Sequence, residues 1–234
     1  IRITSDMDFS NRDTVAQLKR SIEENPGCSL HGSLPCTVWS SWQRMAVHRY
    51  GQGYLIKLMK RRKRSIAMLR QFINCADLCL SLGGEISFEW PSYCEGWANS
   101  DLINFIVRHD LFSVYVDGCA CGMTNVHGHP IIKQWTFITS SERVAVSLSK
   151  LKCSHASDFK HGEIAGSETK RSEIHPLSLC RTLLSSLFGS HEFAPAMVCA
   201  PCVPQEKHRQ EEVHLKDFAM SPNSAPDHPL VWDA

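Results

Sequence analysis

No stretch of this chain approaches about eighteen uninterrupted apolar residues, so a transmembrane helix is not supported and no membrane partner is expected. An excess of one charge is missing as well. With 25 Lys and Arg against 24 Asp and Glu, the whole-protein field selects no polyanion, and any basic surface must be local. One such surface exists at Lys57, Lys60, Arg61, Arg62, Lys63 and Arg64, six cations in residues 57–64. Regular cysteine pairing is absent: eleven is an odd count and the spacings are irregular. This argues against a secreted disulfide scaffold and for a reducing, intracellular compartment, cytoplasmic or nuclear. No internal repeat is found. The opening Ile1-Arg2-Ile3-Thr4 is neither an initiator methionine nor a signal peptide, so a fragment of something longer is expected. What is present is 43% apolar content over 234 residues, enough for one substantial core.

Apolar periodicity orders the chain into alternating strands and helices. Residues 1–9 read as a short strand ending at Asp6-Met7-Asp8. Asn11 and Asp13 offer helix caps, and Val15, Leu18 and Ile22 stand at helical spacing until Asn25-Pro26-Gly27 ends the pattern. Residues 29–34 form a second strand, completing a β-α-β unit. Leu55, Leu58, Met59, Ile66, Leu69, Ile73, Ala76 and Leu80 predict a long helix over residues 55–82, interrupted at most near the basic run and stopped by Gly83-Gly84. A strand at 86–89, a helix at 101–109 with Leu102, Phe105 and Ile106 on one face, and a strand at 111–116 follow. Residues 118–130 are rich in Gly, His and Cys, and 131–139 is β-like again with no helix before it, which reads as an antiparallel hairpin. A helix is expected at 175–188 and an irregular tail at 189–234. The fold class is therefore α/β, a mostly parallel sheet with a C-terminal antiparallel hairpin. One domain spans 1–188, with a Cys/His-rich hairpin and loop at 117–175.

Two blocks carry chemistry. Ser33-Leu34-Pro35-Cys36-Thr37-Val38-Trp39-Ser40 and Gly84-Glu85-Ile86-Ser87-Phe88-Glu89-Trp90-Pro91 each fall where an apolar segment ends, at the carboxyl edge of a sheet, where open α/β folds place their sites. Pro35 stiffens the turn that presents Cys36, and a thiolate is a far better nucleophile than a hydroxyl. The alternative is that Cys36 is a small residue that simply packs. Glu89 leaves a buried strand, where desolvation suits a carboxyl group that acts as acid or hydrogen-bond donor; otherwise it faces solvent or caps a helix.

Pro-Cys followed by a small hydroxyl residue, then Glu at the next strand end, resembles the cytosine-5 DNA methyltransferases. The resemblance implies a class I methyltransferase-like (Rossmann-like) sheet, with further N-terminal strand and cofactor loop before Ile1. It implies Cys36 as the nucleophile toward ring carbon six and Glu89 as the group that engages the base's ring nitrogen and exocyclic amine. Lys133 is the sole basic match to the family's Gln-Arg-x-Arg strand, and Asp6 or Asp8 and Pro35 are the residues on the side of the cofactor, S-adenosylmethionine. The sequence departs from the family at three points. The aromatic-Gly-x-Gly loop after the first strand has no counterpart, Trp90-Pro91 replaces Asn-Val, and residues 128–137 retain only Lys133.

The departures are similar to something else. Pro-Cys-Thr-x-Trp-Ser-x-Trp-Gln, Gly-Gly-x-Ile-x-Phe-Glu-Trp-Pro, Asp-Gly-Cys, Lys-x-Trp and a late Cys-x-His resemble domains embedded in retroelement-like polyproteins of marine protists and invertebrates. The implied function is a nucleic-acid (cytosine-5) methyltransferase-like fragment, diverged and inactive as an isolated chain. The alternative is a non-catalytic, zinc-stabilised nucleic-acid or protein-binding module that works beside other segments of a polyprotein.

Cys119 and Cys121 precede Cys153, His155 and His161, soft and borderline ligands able to make a tetrahedral zinc site, with Cys119, Cys153, His155 and His161 the preferred set. His127, His129 and His175 compete for ligand places, and polar loop residues without metal are the other reading. The cations at 57–64 can contact several phosphates or form a solvated helix face. Trp39, Trp42 and Tyr54 flank the Pro-Cys loop and can stack on a base or belong to the core.

Overall fold

The first helix of the computed structural model, which describes residues 9–164 and 166–188, starts where its cap predicts. In α1 (Arg12–Glu23) the Asn11 side chain accepts the Asp13 amide at 2.9 Å, and Val15, Leu18 and Ile22 form the buried stripe. The chain then enters β1 (Ser29–Ser33), a 3-10 turn (Thr37–Trp39) and the helical run α2 (Trp42–Ser81). This run corrects the expectation of a helix beginning at residue 55. It begins at Trp42, and its break lies at Gly51, with φ 66° and ψ −159°, rather than near the basic run. Only glycine adopts that φ cheaply. The cations stay helical because Lys and Arg are good helix formers. Burial along Leu69, Phe72, Ile73, Ala76 and Cys79 seats the helix on the sheet.

Gly84 ends the run at a tight crossing, where a Cβ would lie 2.2 Å from the Cys28 carbonyl oxygen and 2.6 Å from Cys79 Sγ. There follow β2 (Glu85–Pro91), α3 (Ser100–Arg108) capped by the Asn99 side chain, β3 (Phe112–Asp117) and β4 (Gln134–Thr139). Two elements are absent from the sequence-based prediction: α4 (Glu142–Ser149) and the short α5 (Ser167–Arg171). The last helix, α6 (Leu177–Phe188), starts two residues after its predicted position, because His175 precedes Pro176 and a residue before proline is pushed out of the helical region.

The four strands form one mixed sheet in the order β1-β2-β4-β3. β1 and β2 are parallel with Ser33 opposite Glu89, and β4 is antiparallel to both β2 and β3. The predicted parallel pair and antiparallel last strand are present. The last strand is inserted between its neighbours rather than added at an edge. Ile86, Phe88, Trp90 and Ile138 bury one face under α1, α2 and α3. On the other face Val114, Val116, Trp135 and Phe137 pack under α4 and α6. Across β1 and β2 that second face turns polar, since the residues in register with Phe137 and Thr139 are Glu89, Ser33, Ser87 and His31. Among the described residues no helix is long and apolar enough to cross a membrane. The predicted first strand and the tail at 189–234 lie outside the described residues.

Candidate functional site

Strand direction sends four chain segments to one edge of the sheet. β1, β2 and β3 run parallel and end there, while the antiparallel β4 begins there. Cys36 follows β1, Glu89 lies near the end of β2, Cys119 follows β3 and Lys133 precedes β4.

Glu89 is 4% exposed and is the centre of the first group. Its Oε1 accepts the Ser33 hydroxyl at 2.7 Å and lies 3.2 Å from His175 Nε2, while its Oε2 is buried without a partner. Cys36, half-buried at the start of the 3-10 turn, is within electrostatic reach of Glu89 and Lys133. Burial pushes the Cys36 thiol pKa up and Glu89 raises it further, Lys133 opposes this, and Glu173 raises it. The thiol is thus held as S–H rather than activated. Burial lowers the Lys133 pKa, with Cys36, Glu89 and Glu173 opposing. Its Nζ donates to the Ser172 carbonyl at 2.5 Å and stands 5.6 Å from the centre of the Trp135 ring. His31 is open to solvent on the sheet face yet ringed by protein, and that crowding lowers its pKa, with Glu89 opposing and His175 adding to the lowering. The arrangement gathers one unpaired carboxyl oxygen, one amine and one thiol at the sheet edge, a set suited to a ligand that offers N–H donors. Pro35 is exposed beside it. Asp6 and Asp8 lie outside the described residues.

Ser33 and His175 are the two partners of Glu89; the sequence offers His175 only as a competing metal ligand, and the structure places it at Glu89 instead. The signal for Ser33 is the strand register. His175 offers none beyond a histidine ahead of a helix.

The second group is the cysteine and histidine cluster. One ligand atom each from Cys119, Cys153, His155 and His161 lies within 4.8 Å of all the others. Cys153 Sγ is 3.2 Å from His155 Nδ1 and 3.4 Å from His161 Nε2. A tetrahedral ion with the usual zinc bond lengths, about 2.3 Å to sulfur and 2.0 Å to nitrogen, sets ligand atoms roughly 3.3–3.8 Å apart. The set can therefore hold a metal ion. Burial pushes the Cys119 thiol up to about 12, with the Cys153 sulfur adding to it, and a bound cation reverses that preference. Cys121 packs instead into the core under α6. His127 and His129 lie on the hairpin, their amides held by Asn125 Oδ1 at 3.0 and 2.9 Å.

The basic run divides. Lys57, Lys60, Arg61 and Arg64 recur at helical spacing and are exposed, as is Lys63. Arg62 turns inward. It pairs with Glu95 at 2.5 Å, donates to the Val38 carbonyl at 3.0 Å and lies 4.9 Å over the Trp39 ring, so it fastens the Pro-Cys turn to α2. Its assignment to phosphate contact is corrected accordingly. Trp39 is core, while Trp42 is 65% exposed. Tyr50-Gly51-Gln52-Gly53 has the aromatic-Gly-x-Gly composition, but it lies inside α2 and follows no strand.

No family model, no curated protein and no solved structure matches this chain.

Proposed function

We propose that this chain is a diverged, methyltransferase-like α/β module of the cytosine-5 type that binds nucleic acid, with Glu89 receiving the N–H-bearing edge of a base and the exposed cations of α2 receiving phosphate. The observation that carries this reading is the buried, unpartnered Oε2 of Glu89 beside Cys36 and Lys133. A buried polar oxygen left without a hydrogen bond costs stability, and such a cost is retained where a ligand supplies the partner. The parallel β1 and β2 with an antiparallel last strand support the Rossmann-like kinship. In that reading Cys36 faces the base, and S-adenosylmethionine supplies the methyl group in active members. The described residues do not make a site for that cofactor, since only Pro35 of the implied set is among them. Binding, rather than methyl transfer, is assigned to this chain. The raised Cys36 pKa favours the second reading, a non-catalytic module of a polyprotein, over a competent enzyme.

The metal of the Cys/His cluster is proposed to be zinc, from two sulfurs and two nitrogens gathered within 4.8 Å of one another. Labelled cytosine-containing oligonucleotide, titrated at low and high salt, tests the nucleic-acid reading. With four exposed cations in one stripe the slope of log affinity against log salt is expected near −3 to −4 for duplex, about −0.9 per phosphate. Glu89→Gln is expected to remove the preference for cytosine over abasic oligonucleotide and to leave the slope unchanged. Absence of binding at low salt refutes the reading.

A further inference from the structure

Asp117 is the last residue of β3, 6% exposed, and its carboxylate is divided between two partners. Oδ1 accepts Gln134 Nε2 at 2.8 Å, which fixes the carboxylate plane against the start of β4. Oδ2 accepts the Cys153 amide at 2.8 Å. The Asp117 amide in turn donates to the Leu151 carbonyl at 2.9 Å. The loop after α4 is therefore fastened to the end of β3 at two points, the Leu151 carbonyl and the Cys153 amide, while Cys119 stands two residues beyond Asp117 on the same chain. A loop ordered before the ion arrives does not have to be ordered by it.

We infer that Asp117 is the positioning residue of the metal centre: by holding the Cys153 backbone it preorganises a closed, four-ligand structural zinc site that clamps the loop after α4 to the carboxyl end of β3. The inference rests on the zinc reading above. With Cys119, Cys153, His155 and His161 all engaged, no coordination position remains for substrate, so the centre is structural rather than catalytic. Asp117 donates no ligand. It acts through a neighbour of the ligating sulfur, as outer-shell carboxylates do at other metal sites.

The test uses the full chain, reduced and metal-free, titrated with zinc against a chromophoric chelator and separately with cobalt(II). Wild type is expected to take up one zinc per chain and to give the visible bands of tetrahedral cobalt. Asp117→Ala is expected to weaken zinc binding about 10- to 100-fold while keeping the stoichiometry and the tetrahedral bands. Cys153→Ser is expected to lose those bands. Asp117→Asn keeps an oxygen for the Cys153 amide and is expected to recover most of the affinity. Hydrogen exchange of the Cys153 amide in metal-free wild type, expected to be protected, decides the matter should Asp117→Ala fail to fold. Wild-type affinity in Asp117→Ala, or an unprotected Cys153 amide in the metal-free chain, overturns the role of Asp117. A wild-type chain that takes up no zinc overturns the zinc reading instead.

Discussion

Replacing Glu89 by leucine separates a binding carboxylate from a structural one. Removing one member of a buried ion pair that serves the fold costs about 3–5 kcal/mol, because its partner is left charged and dry. The surroundings of Glu89 predict a different outcome. The variant loses the Ser33 hydrogen bond, worth about 1.5–3 kcal/mol to a charged acceptor. Ser33 is exposed, however, and its hydroxyl turns to water without being orphaned. Oε2 already lacks a partner, and removing it recovers the roughly 1–3 kcal/mol that an unsatisfied buried group costs. The variant also loses the His175 contact to Oε1, which costs up to about 1 kcal/mol more, while contact of the leucine with its cross-strand neighbour Phe137 offsets part of that, so the net change stays within about 2 kcal/mol. Urea unfolding should therefore give Glu89→Leu a midpoint close to wild type, a stability loss of less than about 2 kcal/mol and an unchanged slope, while the cytosine preference disappears. A loss of about 3 kcal/mol or more would show that Glu89 holds the sheet together, and the Glu89 group would lose its claim to be a binding site.

Two further outcomes follow from the same edge. Glu89 raises the Cys36 thiol pKa and Lys133 lowers it, so at pH 8 Glu89→Gln should speed iodoacetamide alkylation of Cys36, and Lys133→Met should slow it, as read by peptide mapping. The gain on a logarithmic scale is only about half the pKa shift, because a less basic thiolate is also less nucleophilic; equal rates in all three proteins would remove the electrostatic link. Arg62→Ala should cost about 1–3 kcal/mol, through the loss of Glu95, the Val38 carbonyl and the Trp39 ring. Lys60→Ala should stay within about 0.5 kcal/mol of wild type and reduce the salt slope by about 1; the reverse pattern would undo the division of the basic run.

The parallel pairing of β1 and β2 was legible because both segments end in strong turn signals with one long helix between them, and a crossover of that kind makes parallel neighbours. The metal-ligand set was legible from ligand softness and its position after a strand end, and the structure brings the preferred four together. The start of α2 was not. Gly51 and Gly53 mark a break in any local reading, and the helix resumes because Leu58 and the residues beyond it are buried against the sheet and the neighbouring turn. Helix α4 hides in eight residues, where Val144, Ala145 and Leu148 are too few to establish a period. Arg62 could have been found: it lies four residues after Leu58 and seven before Leu69, on the buried face of the same helix. The pairing of Ser33 with Glu89 depends on register, which a single sequence leaves open by one residue and which exchanges every side chain between faces.

The insertion of β4 decides which side chains can meet at the shared edge. Neighbouring strands stand about 4.8 Å apart. Had the antiparallel strand joined outside β3, Lys133 would enter the edge about two spacings, roughly 10 Å, from β2 and three from β1, with β3 between it and Glu89. Lying between β2 and β3, it enters one spacing from each, so the Lys133 amine that precedes it acts on the Cys36 thiol. The next residue, Gln134, binds on both sides. Its Nε2 donates to Asp117 at the metal cluster, and its Oε1 accepts the Tyr93 hydroxyl, 2.9 Å away on the loop after β2. A single strand start therefore supplies the Glu89 group with its amine and braces the carboxylate that accepts the Cys153 amide, which keeps the two groups at one edge while the backbone of β4 separates them.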